Sequence, residues 1–102
     1  MKRKLFINCE FTGGTKRIEA EGEKINLRKG FKLFVVCNPI TNCWSITELQ
    51  TGLKIGDSGG TKKEAIEIAR YKLAELSDDQ IRRGIDAAIK RFGILNPVAE
   101  KA

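Results

Sequence analysis

The run at residues 31–37 puts apolar side chains on both faces of any strand it forms. Phe31, Leu33, Val35 and Cys37 point one way, Phe34 and Val36 the other. A strand of that kind belongs inside a sheet, with a helix over one face and further cover over the other. The helix to supply that cover follows at residues 61–76. Thr61 with Glu64 three residues on is a capping-box pattern. Ala65, Ile66, Ala69, Leu73 and Leu76 then fall on one arc of a 3.6-residue wheel, giving the helix a face to bury.

The remaining strands are read from alternation and turn chemistry. Residues 4–11 are apolar and aromatic enough for a first strand, and Gly13-Gly14 turns it back. In the return, Ile18 and Ala20 alternate with Arg17 and Glu19. Glu21-Gly22-Glu23 reads as a break, and Ile25 and Leu27 as a short separate segment. Pro39 marks the turn after the central strand. Residues 43–49 alternate again, with Trp44 and Ile46 opposite Ser45 and Thr47, and Leu53-Lys54-Ile55 is a short last strand. Gly56-Asp57-Ser58-Gly59-Gly60 reads as a glycine loop leading into the helix.

A second helix starts at Ser77, with Gln80 completing a capping box and Asp78 and Asp79 at its positive end. Ile81, Ile85, Ala88, Ile89 and Phe92 form its stripe, and Gly93 stands at its C-terminal cap. Asp78/Arg82, Asp79/Arg83 and Asp86/Lys90 are spaced as ion pairs four apart. The expected fold is α+β: an antiparallel meander of four to five strands on one amphipathic helix, with a second helix behind. Residues 1–95 make a single domain and 96–102 a flexible tail.

Composition narrows the function classes. The chain of 102 residues carries 19 Lys and Arg against 13 acids, with no histidine and three cysteines (Cys9, Cys37, Cys43) in no C-x-x-C spacing. Zinc would have to be completed by carboxylates, and histidine-based catalysis has no base, so neither metal, cofactor nor enzymatic activity is expected. Only Leu5-Phe6-Ile7 follow the first basic residues before Asn8, too short an apolar stretch for a signal peptide. No run approaches the ~20 apolar residues of a membrane span. Reduced thiols and a cytoplasmic location are the expectation.

Gly56-Asp57-Ser58-Gly59-Gly60 matches the string around the nucleophile of trypsin-like proteases, but without histidine Ser58 has no partner to take its proton. The same stretch lacks the Gly-Lys-Ser/Thr order of a nucleotide-binding loop. What a helix start with Lys62 and Lys63 does offer is free N–H groups and positive charge for an anion. Gly59-Gly60-Thr61-Lys62-Lys63-Glu64-Ala65, running on to Ala69 and Leu73, resembles the last strand, loop and helix of double-stranded-RNA-binding domains. That resemblance covers residues 52–76 and implies phosphate contacts from Lys62 and Lys63 across a duplex groove. Ile66 stands where that family has a third lysine, and strands replace its first helix. The Thr-x-x-Glu-Ala helix start after a meander is also similar to HicB-type antitoxins, which share the layout without the RNA surface.

Two binding functions remain. Residues 1–32 hold nine basic residues against four acidic ones, while the rest of the chain is nearly balanced. Lys2, Arg3, Lys4, Lys16, Arg17, Arg28, Lys29 and Lys32, joined by Lys62 and Lys63, are the expected nucleic-acid contacts, with Phe6, Phe11, Phe31 and Phe34 interleaved. The alternative is a small accessory or inhibitor protein, of the kind phages and mobile elements encode. It would dock by its sheet on a host protein through Phe34, Trp44 and Tyr71. An unpaired edge strand would also permit a homodimer. The two readings part on whether the cations share one face.

Overall fold

The computed structural model describes residues 2–11 and 14–96, and the side chains of all of these except 8–11 and 14–16. Five strands form one antiparallel sheet in chain order: β1 Lys2–Phe11, β2 Gly14–Ile25, β3 Leu33–Cys37, β4 Trp44–Glu48 and β5 Lys54–Gly59. Helices α1, Lys62–Ala74, and α2, Asp78–Phe92, follow. The α+β meander with a C-terminal helix is the architecture expected from the alternation.

β3 lies third of five and is covered on both faces, as its composition demands. On one side Leu33 and Val35, with Ile46 from β4, meet Ala69 and Leu73 of α1 and Ile81 of α2. On the other, Phe34 and Val36 pack with Leu5, Ile7, Ala20 and Leu49. The second cover is thus the chain's own first hairpin. β2 pairs with β3 only over residues 22–25, whereas all of β1 pairs with residues 14–23 of β2. The rest of the hairpin is therefore released from the plane of the sheet, and Leu5, Ile7 and Ala20 fold over onto Phe34 and Val36.

Two glycines read as breaks are close-approach positions inside strands. Gly22 continues β2, and a Cβ there would stand 2.7 Å from Leu5 Cδ2 and 3.0 Å from Val36 Cγ2. β5 runs on through the expected loop to Gly59, whose Cβ would stand 2.8 Å from that of Glu64. Only glycine lets the start of α1 sit so close to the strand.

The helix ends are built mostly as expected. Ser77 and Gln80 close a full capping box, and the Gly93 N–H donates to the Ile89 carbonyl. At α1, the Thr61 hydroxyl accepts from the Glu64 N–H, but the Glu64 carboxylate accepts from Gly60 N–H (2.8 Å) instead of from Thr61. Of the three pairs expected along α2, only Asp79 with Arg83 (2.6 Å) forms among the described residues. Asp78 turns to Arg28, and Arg82 lies over the Phe31 ring, 4.9 Å from its centre. Longer-range partners outcompete a helix pair worth only a few tenths of a kcal/mol.

Asn96, the first residue of the expected tail, is held. It is 3 % exposed; its Oδ1 accepts from Phe6 N–H, and its Nδ2 donates to the carbonyls of Phe6 and Leu49, all at 2.8 Å. Its carboxamide pairs with the outer edge of β1 as a neighbouring strand residue would. The rest of that tail, 97–102, lies outside the described residues.

Candidate nucleic-acid interface

The sequence-predicted cations divide into separate places. At the start of α1, Lys62 Nζ meets Glu23 Oε1 at 2.5 Å. That hydrogen bond and the lysine charge hold the Glu23 carboxyl below its usual pKa, with a smaller contribution from Lys2, its partner across the β1–β2 ladder. Lys62 is thus already neutralised by a carboxylate 39 residues away. Lys63 is exposed beside it with no acidic partner among the described residues. Lys4 pairs across the ladder with Glu21, and Arg3 donates from Nε to the Lys4 carbonyl. Arg17 reaches over the Phe6 ring at 5.8 Å. The side chain of Lys16 lies outside the described residues.

Arg28 is structural. Its Nε and one Nη meet Asp78, the other Nη donates to the Leu73 carbonyl (2.7 Å), and a further bond reaches the Leu76 carbonyl (3.0 Å). Carbonyls at and just beyond the end of α1 thereby meet a cation at the negative end of the helix, and α2 is tied on. Little of this guanidinium is left for a phosphate.

Lys29 and Lys32 stand differently. With Lys24 they line one open hollow of about 490 Å³, bordered by residues 24 and 26–32. All three lysines are exposed and have no acidic partner among the described residues. Arg82 of α2 borders the same loop, its Nη2 3.6 Å from where a Gly30 Cβ would stand, held there by the Phe31 ring. The three lysines thus line one hollow, and Arg82 stands over the half-buried Phe31 ring in the adjoining one, which Lys32 and Asp86 share.

Lys29 and Lys32, next to Arg28, stand apart from the helix-start lysines, whereas Lys24 adjoins Glu23, the partner of Lys62. Arg28 marks the C-terminal end of α1 and Lys62 the N-terminal end of the same 13-residue helix. At 1.5 Å per residue the two ends lie ~20 Å apart, about twice the screening length at 0.1 M salt. Lys29 and Lys32 therefore act apart from Lys62 and Lys63.

The alternative partner residues fare unequally. Phe34 is 5 % exposed within the hairpin-side core and offers nothing to a partner, because β1 and β2 fold over it. Trp44 is half-buried against the helix-side core. Tyr71 is 79 % exposed, with the exposed Glu67 and Glu75 one turn to either side. Cys37 and Cys43 are free, their thiols donating to Asn42 and Thr41 within their own turn.

Lys24 and Arg82 are the members of the basic cluster that sequence reasoning left out. The expected break at Glu21-Gly22-Glu23 leaves Lys24 without a role, and the spacing along α2 pairs Arg82 with Asp78. The lysine was findable, since β2 continues through Gly22 and keeps Lys24 beside the loop cations. For the arginine no local signal existed. Among the described residues no group of three or more potential metal ligands is gathered, and no helix is long and apolar enough to cross a membrane. Compared with known proteins, the chain matches no family model, no curated protein and no solved structure.

Proposed function

We propose that this protein is a non-enzymatic nucleic-acid-binding module that grips phosphates through the hollow of Lys24, Lys29 and Lys32, with Arg82 in the adjoining hollow. The observation that carries the proposal is three uncompensated lysines around a single hollow. Phosphate binding needs several cations inside one screening length, free of internal carboxylates. Lys63 adds a second, weaker contact point, while Lys62 must first leave Glu23. Free thiols at Cys37 and Cys43 suit a reducing compartment such as the cytoplasm.

The test is fluorescence anisotropy with labelled duplex and single-stranded DNA and RNA at two salt concentrations. Binding in the micromolar range or tighter is expected, weakening steeply with salt. Lys29→Glu with Lys32→Glu should lower affinity by about tenfold or more and flatten the salt slope by about 0.9 for each lost phosphate contact. Lys62→Glu should do far less. Absence of binding to every probe at low salt would sink the proposal.

A further inference from the structure

A second surface, apart from the basic hollow, is shaped for a different partner. Between the β4–β5 turn, the end of α1 and the first half of α2 lies an open groove of about 250 Å³. Leu53, Ile55, Leu73, Leu76, Ile81 and Ile85 make it apolar. Its volume falls short of the ~300 Å³ at which small-molecule pockets begin, yet it suffices for one large apolar side chain.

Gly84 sits in the groove wall, in the middle of α2, and a Cβ there would meet nothing within 4 Å. Glycine at a helix interior costs about 1 kcal/mol relative to alanine. No internal contact calls for it, so its consequence is to keep the groove wide. The charges of the lining are one-sided as well. Lys54 and Lys72 are exposed on it, and the acid among the lining residues, Glu48, is buried and spent. Its carboxylate accepts from Gln50 N–H, Thr51 N–H and the Thr51 hydroxyl. We infer that the groove seats one large apolar side chain of an acidic segment from a partner protein, with Lys54 and Lys72 meeting the flanking carboxylates.

The experiment uses the isotope-labelled full chain and three short synthetic peptides. Each carries one central leucine, flanked by aspartate and glutamate, by serine and glycine, or by lysine. NMR shifts of the Gly84 amide and the Ile81 and Ile85 methyls report the groove. The acidic peptide should shift these signals and bind about tenfold or more tighter than the neutral one, with the basic one weakest. Lys54→Glu with Lys72→Glu should erase that preference. Gly84→Leu should abolish binding while leaving nucleic-acid affinity unchanged, and leucine at an exposed helical position is compatible with folding. Gly84→Ala, a smaller change, should weaken binding partially. Failure of all three peptides to shift the groove signals overturns the inference. So does equal binding of the three, or a Gly84→Leu variant that folds and still binds. A dimer in sedimentation that Gly84→Leu dissociates would show a second copy in the groove and overturn it too.

Discussion

Asn96 gives three hydrogen bonds to a backbone that has no other partner shown for those groups, and most of its worth lies in what its loss would expose. Asn96→Ala leaves the buried Leu49 carbonyl and the part-buried Phe6 N–H and carbonyl without this partner. The expected loss is ~2–4 kcal/mol, read from chemical denaturation. Glu23 makes the opposite kind of contact, exposed and dependent on charge. Its carboxyl is shifted down from 4.5 by Lys62, so the bridge stabilises the fold above that pH and its contribution fades as pH falls through the lowered value. Glu23→Gln should therefore lower the melting temperature at neutral pH, and the difference from wild type should close in acid. A gap that persists in acid would mean that the glutamate acts by packing.

At the scale of elements, α2 carries two residues with opposite expected effects. Ser77→Ala opens the capping box and should cost about 1 kcal/mol. Gly84→Ala meets no neighbour and should add about 1 kcal/mol. Thermal unfolding of the two variants, with the double mutant close to wild type, checks both at once. The elements were also where the sequence spoke most clearly. Caps, the Pro39 turn and the two-faced strand are local signals, and a chain of this length has few ways to satisfy them. Gly22 and Gly59 misled for a physical reason. Glycine marks a turn when freedom of φ is used and a close approach when the missing Cβ is used, and only the neighbours in space tell which.

Across the whole molecule, the candidate site was legible in composition but not in geometry. The excess of cations in residues 1–32 was plain, yet its sorting depends on carboxylates and carbonyls far along the chain. Glu23 neutralises Lys62 across 39 residues, and Asp78 takes Arg28 across 50. Phe34 and Lys24 are adjacent in the β2–β3 ladder, and one is core while the other is the rim of a basic hollow. Register makes them neighbours on one face, and the folded-over hairpin covers Phe34 but leaves Lys24 exposed, which no single stretch of sequence encodes. The same register sets the expected phenotype of charge reversal, local to residues 24–32 and Arg82 and weak at the helix start.

The bonds of Asn96 to Phe6 span 90 residues of chain. A ribosome makes Phe6 ninety residues before Asn96, so until Asn96 emerges the Phe6 backbone lacks this partner. Closing so long a loop is also late in refolding, because its entropy is repaid only when both ends have docked. Nascent chains stalled before Asn96 should thus hold a formed helical half beside an unsealed strand, a state ready to pair with another copy.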